Sequence, residues 1–487
     1  MAPTYRKKPV KLTFWGAARQ VTGSMYLLEL DDDYRILIDC GTDLSRPDEN
    51  APDVWPADMK NRLFPFEPSF LNAVLLTHAH IDHSGEIPNL IREGFEGKIF
   101  CTPATYDLTQ PLLLDSAMLH RKRLNRIMGN DKRGNKKVKP TKEVSNLYLE
   151  KDAEESFDYF ATIPFLQRVK LRKGVWMTFI PTGHILGAAN ILLEIEEDGV
   201  TKRIGFSGDI GRHNYPLLKD PYPFPEVDYL ICESTYGNRY HKDEGDPVQI
   251  LGDLVRKTCV DIPGRLVIPA FAVGRTQALL FTLNKVYADL NFPQVRVFTD
   301  SPLALKSTAV YEKYPSLLND EAREFRDTHG ELFDFKNLTF VENAKDSKAL
   351  SDYNRPCVII SSSGMISGGR VEHHVRQNLS NPYSTILLVG YSAEGTIGHD
   401  LLHGKKSFEW DKREYAVTCT IAHTDVFSGH GDLDDLIAWV SQQDKTKVKK
   451  VFLVHGDYKS QVDFAATLAG EGYDMVEIPA KGQTYDL

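Results

Sequence analysis

No run of the roughly 20 apolar residues that a bilayer-crossing helix requires occurs in the sequence, which excludes an architecture built on such helices. Cysteine is scarce. Cys40, Cys101, Cys232, Cys259, Cys357 and Cys419 are scattered without a close pair, so neither a disulfide framework nor a thiolate zinc site is expected. An excess of basic residues is also missing. The formal net charge of −9 excludes simple electrostatic adhesion to nucleic acid and requires that any groove for it be locally basic. The first residues, Met-Ala-Pro-Thr-Tyr-Arg-Lys-Lys, lead into an alternating strand pattern, not the apolar core of a secretory signal, so a cytoplasmic protein is expected.

What is present is a 487-residue chain, 42% hydrophobic and 26% charged, with enough material for about three domain-sized units. Apolar, β-rich runs end in polar or glycine-containing turns at Arg35 to Asp39, Leu71 to Thr77, Trp176 to Pro181, Arg203 to Phe206 and Val227 to Cys232. After Tyr236 the pattern becomes strand then helix, with strands at Arg265 to Ile268, Val295 to Thr299, Cys357 to Ser361 and Thr385 to Val389. Such alternation implies a mostly parallel α/β sheet. A further strand, Val448 to Val454, ends in His455. Between Arg121 and Lys142, Arg and Lys contribute ten residues against the single acid Asp131. This segment reads as an exposed arm, either a clamp on phosphates or a solvated loop.

The strongest chemical signal is Thr77-His78-Ala79-His80-Ile81-Asp82-His83, directly after an apolar strand. Alternating positions let His78 and His80 point to one metal, and the tight turn that follows presents Asp82 and His83 to a second. Imidazole and carboxylate without thiolate suit catalytic zinc, which keeps a position open for water.

This H-x-H-x-D-H motif resembles the metallo-β-lactamase superfamily. The resemblance implies a third His, a bridging Asp and a final His from successive strand ends. The matching residues are His184 in Pro181-Thr-Gly-His-Ile-Leu-Gly187, Asp209 in Ser207-Gly-Asp-Ile-Gly211 and His455 in Leu453-Val-His-Gly456. By that likeness one zinc is held by His78, His80 and His184 and the other by Asp82, His83 and His455, with Asp209 bridging them, giving two Zn²⁺ per chain. Asp39 matches the acidic residue that orients a ligand His or the bound water.

Three further matches resemble the β-CASP nucleases: Glu233 in Cys232-Glu-Ser-Thr-Tyr-Gly237, His430 in Phe427-Ser-Gly-His-Gly-Asp432, and His455 again. Pro269-Ala-Phe-Ala-Val-Gly-Arg-Thr-Gln277, Thr299-Asp-Ser-Pro-Leu303, Ser361-Ser-Ser-Gly-Met-Ile-Ser-Gly-Gly369 and Gly390-Tyr-Ser-Ala-Glu-Gly-Thr-Ile-Gly398 resemble the same family. Ser392 and His399 stand where relatives often carry Gln and Arg.

The likeness implies a four-layer αβ/βα metallo-β-lactamase fold from residues 1–236 and 426–487, interrupted by an α/β β-CASP domain at 237–425, with the active site between them. By layout it is nearest to compact prokaryotic forms without an RNA-binding KH extension. The implied function is a zinc-dependent ribonuclease, endonucleolytic and possibly 5′–3′ exonucleolytic, acting on single-stranded RNA, with no membrane partner and a homodimer by analogy. In that reading two zinc ions about 3.5–4 Å apart activate water for attack on phosphorus. His430 protonates the leaving 3′ oxygen, steadied by Glu233, and the ends are 5′-phosphate and 3′-hydroxyl. Asp82, His430, Glu233 and Asp39 are then the catalytic set.

Ser361, Ser362 and Ser363 end a strand and are candidates to present hydroxyls and N–H groups to a phosphate, or they form a turn of small residues. Arg275 begins a helix and either assists anion binding or serves a structural ion pair. Tyr236 and Tyr391 beside strand ends are packing elements more often than base stackers, and neither is placed in the site. Two other readings remain. A small-molecule thioesterase or lactamase would leave the inserted domain unexplained, and a non-catalytic scaffold subunit would not need an intact ligand set.

Overall fold

The computed structural model describes residues 9–31, 33–44, 62–129, 142–197, 199–242, 245–289, 293 and 295–487. Its framework is two seven-stranded sheets packed face to face. In the first, Lys11–Gly16, Met25–Glu29 and Arg35–Ile38 run antiparallel. Ala73–Leu75, Lys98–Cys101 and Phe160–Thr162 then add in parallel. In the second, Lys450–Val454 lies between Val476–Glu477 and Tyr229–Glu233. Val200–Phe206, Ala189–Glu197, Val175–Pro181 and Val169–Arg172 follow.

Strand alternation sends one apolar set of each sheet inward. Phe14, Tyr26, Ile38, Leu75, Phe179, Ile191, Phe206, Ile231, Phe452 and Val454 meet there in one core. The opposite faces are also apolar, which is why both sheets are covered. Val74 and Leu76 pack against Ile87, Leu90 and Phe95 outside the first, and Leu230, Cys232 and Leu453 pack against Leu436, Trp439, Phe464 and Leu468 outside the second. The result is a four-layer αβ/βα sandwich.

A third sheet of six strands is parallel throughout, in the order Leu338–Phe340, Arg296–Asp300, Cys357–Ser361, Arg265–Pro269, Thr385–Val389, Thr420–Thr424. Its inner strands read as continuous apolar runs because helices cover both faces. Ile268, Ile360 and Leu387 face the helix Arg275–Asp289, and Val267, Ile386 and Leu388 face the helix Arg370–Asn378. The first of these cores continues into Leu108, Leu112, Ile185 and Leu186 of the sandwich, so the two bodies share buried apolar side chains.

The basic stretch after Arg121 departs in part from the expected arm. Arg121 to Gly129 are the last turns of a helix that runs Pro103–Gly129, and 130–141 lie outside the described residues. A run of good helix formers, Met118-Leu-His-Arg-Lys-Arg-Leu, overrides the loop expected from charge alone. Among the described residues no helix is long and apolar enough to cross a membrane.

Candidate active site

The proposed ligands come from strand ends that converge on one edge of the sandwich. His78 and His80 follow Ala73–Leu75, His184 follows Val175–Pro181, Asp209 follows Val200–Phe206, and His455 follows Lys450–Val454. His78, His80, His184 and Asp209 bring one ligand atom each within 4.8 Å of one another, and Asp82, His83 and His455 do the same. His184 Nε2 and His78 Nε2 both lie 3.2 Å from His80 Nδ1, and 3.4 and 3.3 Å from Asp209 Oδ2. On the other side His83 Nε2 lies 3.2 Å from His455 Nε2 and 3.2 Å from Asp209 Oδ1. Asp82 Oδ2 is 3.5 Å from His455 Nε2.

The tautomers follow from what each ring does with its other nitrogen. His83 Nδ1–H donates to Asp39 Oδ2 at 2.7 Å, and His184 Nδ1–H donates to the Gly429 carbonyl at 2.9 Å. The Thr77 hydroxyl donates to Asp39 Oδ2 at 2.8 Å and accepts from His78 Nδ1–H at 3.0 Å. The Thr235 hydroxyl donates to the His455 carbonyl at 3.1 Å and accepts from His455 Nδ1–H at 3.0 Å. Each of these four rings therefore turns a lone pair on Nε2 toward the cluster, as a metal-ligating imidazole must.

Asp209 Oδ1 is buried without a hydrogen-bond donor, a costly state unless a cation supplies the missing partner. Converging lone pairs and an orphaned carboxylate oxygen fit a divalent metal, and the cluster is a divalent-metal site. Asp39 and His455 hold left-handed backbone at φ 57° and 50°, which L-residues rarely adopt and which concentrates at functional sites.

His430 stands beside this cluster, its side chain 15% exposed, with Nε2 3.9 Å from Asp209 Oδ2. Its Nδ1 donates to the buried Glu233 carboxylate, 3.1 Å from Oε1 and 3.3 Å from Oε2. Glu233 Oε1 also accepts from the Ile210 N–H at 2.6 Å. Burial pushes the His430 pKa down, but the Glu233 charge and hydrogen bond outweigh it and leave the imidazole above its ordinary range. Glu233 is held below the usual carboxylate range, because the His430 charge and hydrogen bond outweigh the opposing effect of burial. The pair is arranged to keep a proton on His430.

The remaining candidates are not brought into the cluster. Ser361 is buried and its hydroxyl donates to the Asp300 carbonyl, whereas Ser362 and Ser363 are half-buried on the loop beyond it. Arg275 is buried over the Phe271 ring, with Nη1 donating to the Val389 carbonyl, and burial lowers its pKa. Three residues were not singled out from sequence. Thr77 and Thr235 orient ligand rings, and His241 Nε2 donates to the His430 carbonyl at 2.9 Å. Thr77 directly precedes the His motif and was the most findable; His241 has no local signal.

A four-layer sandwich with His and Asp ligands at its strand ends defines a metal-dependent hydrolase of the metallo-β-lactamase fold. Family models agree: metallo-beta-lactamase superfamily over residues 18–169, Beta-Casp domain over 276–401, and Zn-dependent metallo-hydrolase RNA specificity domain over 414–479. Ribonuclease TTHA0252 of Thermus thermophilus is 29% identical over 466 residues, covering 96% of this chain and 97% of that protein. Transcription termination factor FttA of Methanosarcina mazei is 30% identical over 495 residues, covering 99% and 71%. A solved Enterococcus faecalis protein of unknown function shares the fold at 14% identity and a TM-score of 0.52, covering 99% of this chain and all of that one. The chain belongs to the β-CASP family of the metallo-β-lactamase superfamily.

Proposed function

We propose that the protein is a zinc-dependent ribonuclease that hydrolyses phosphodiester bonds of single-stranded RNA. The observation that carries the reading is the His430–Glu233 pair beside Asp209, which adds a proton donor to the metal cluster. RNA as substrate is supported by the match to an RNA specificity domain and by the likeness to a protein named a ribonuclease.

In this reading His78, His80 and His184 would hold one zinc ion and Asp82, His83 and His455 the other, with Asp209 offering Oδ2 toward the first group and Oδ1 toward the second. Zinc bound there would supply Lewis acidity at the phosphoryl oxygen and would acidify the attacking water. His430 Nε2–H gives its proton to the departing 3′ oxygen, and Glu233 holds the ring on Nδ1 and favours its charged form. Bond cleavage on that side leaves a 3′-hydroxyl and a 5′-phosphate. Asp39 and Thr77 fix the ligand tautomers. Ser362 and Ser363, half-buried on the loop after Cys357–Ser361, are assigned to a neighbouring phosphate by sequence likeness alone, and Arg275 braces the Val389–Gly390 turn. We place the domain divisions at 1–236, 237–425 and 426–487.

The test is cleavage of an end-labelled single-stranded RNA by zinc-loaded wild type and His430→Ala at equal metal content. A loss of about 10²–10⁴ in rate is expected for the variant, with 5′-phosphate on the wild-type products. Equal rates would remove His430 from the mechanism. Hydrolysis of a lactam or thioester without any cleavage of RNA would overturn the substrate.

A further inference from the structure

Beyond the metal cluster, a chain of aromatic and guanidinium contacts leads from His430 along the seam between the two bodies. The buried Tyr236 ring lies 6.4 Å from the His430 ring and 6.1 Å from the Tyr391 ring, which it meets edge-on. Arg239 places its guanidinium 5.2 Å from the centre of the Tyr391 ring and 5.5 Å from that of Tyr236. Arg239 Nη2 is 3.7 Å from Asp457 Oδ2, and the next residue, Tyr458, carries the Arg19 guanidinium 4.9 Å from its ring centre.

The outer end of this chain differs from ordinary packing. Tyr236 is enclosed, but Tyr458 is 51% exposed and Arg19 is exposed beside it. Tyr391 and Arg239 are half-buried and face one another beside Tyr236. Asp457 caps the helix Tyr458–Gly470 by accepting from Ser460, so its carboxylate is committed to the fold.

The backbone that carries these groups is the backbone that holds the metal ligand. The His455 and Gly456 N–H groups donate to the carbonyls of Ala17 and Gln20, and Arg19 between them is left-handed at φ 59°. A strained loop fixed to a ligand strand places Arg19 and Tyr458 in constant register with the reaction centre.

We propose that Tyr391 with Arg239, and Tyr458 with Arg19, are two base-stacking platforms that hold nucleobases of single-stranded RNA beside the scissile phosphate. The proposal rests on the ribonuclease reading. A guanidinium on an aromatic ring adds cation–π attraction and neutralises nearby phosphate. This gives an acidic chain a local hold on RNA that its net charge of −9 denies it globally. The faces of bases inside a duplex are already stacked, so the platforms select single strands without reading sequence.

The test uses a fluorescein-labelled single-stranded RNA and the full-length His430→Ala protein, followed by anisotropy. Adding Tyr458→Ala or Tyr391→Ala is expected to weaken binding roughly fivefold to a hundredfold, the range for losing one base stack. The matching Tyr→Phe changes should restore it to within about twofold. On an abasic oligonucleotide of equal length the Ala and Tyr forms should bind alike. Unchanged binding by both Ala variants, or equal losses on the abasic strand, would overturn the platforms and leave the ribonuclease reading standing. Failure of the wild type both to bind and to cut any RNA would remove the reading and the platforms together.

Discussion

Replacing Gly41 with Ala tests whether the Asp39–Thr42 loop positions half of the metal cluster. Cys40 and Thr42 donate their N–H groups to the carbonyls of His83 and Ile81, and Gly41 donates to Ser24. The loop therefore lies flat on the ligand turn. A Cβ on residue 41 would stand 1.7 Å from the Asp82 carbonyl oxygen and 2.7 Å from the His83 nitrogen, where contacts under 3.0 Å are essentially never seen. The turn must retreat by at least about 1.3 Å, whereas metal–ligand bonds tolerate about 0.2 Å. His78 and His184 sit on strand ends that the new methyl does not touch. If each half of the cluster holds one ion, as proposed, metal analysis after dialysis should fall from about two ions per chain to about one, and RNA cleavage should drop by about 10²-fold or more. Gly470→Ala, whose Cβ meets nothing within 4 Å, should keep both metals and its rate. A Gly41→Ala protein with two tightly held ions and an ordinary rate would refute the argument.

Asp39→Asn removes the acceptor shared by His83 Nδ1 and the Thr77 hydroxyl. Its metal affinity in chelator competition should fall about 10–100-fold, and unchanged affinity would show that Asp39 does not set the tautomers. Glu86 concerns stability instead. Burial pushes its carboxyl up to about 7 against hydrogen bonds from Asn89 and Thr42. A raised acid keeps its proton in the folded state, so the wild type loses stability as pH rises from about 4.5 to about 7. Glu86→Gln should escape this loss and gain about 1–3 kcal/mol on the wild type between about pH 5 and pH 8 in urea unfolding. Parallel pH profiles for the two proteins would contradict it.

The candidate metal cluster was legible because His78 to His83 form one short stretch and because His184, Asp209 and His455 each follow an apolar run that had to be a buried strand. The central strands were readable for the same reason: Cys357–Ser361 and Thr385–Val389 occur as expected. Short strands blurred. Leu71 to Thr77 shrank to Ala73–Leu75 because the 3₁₀ turn Pro68–Phe70 and the ligand loop claim its flanks. Tyr391 and Tyr458 carry no local signal that tells them from packing residues, since only their exposure, set by tertiary contacts, separates them from the enclosed Tyr236. Arg275 and Ser361 are polar residues at strand ends whose burial depends on tertiary contacts that have no local pattern.

The strand that carries His455 lies beside Tyr229–Glu233 inside the second sheet, and Gln483–Asp486 closes the edge of the first sheet against Lys11–Gly16. His455 reaches His83 from 372 residues away in the chain, with the whole six-stranded sheet inserted between them. The candidate cluster therefore exists only while the two halves of the sandwich are closed on each other, and opening that seam would scatter its members.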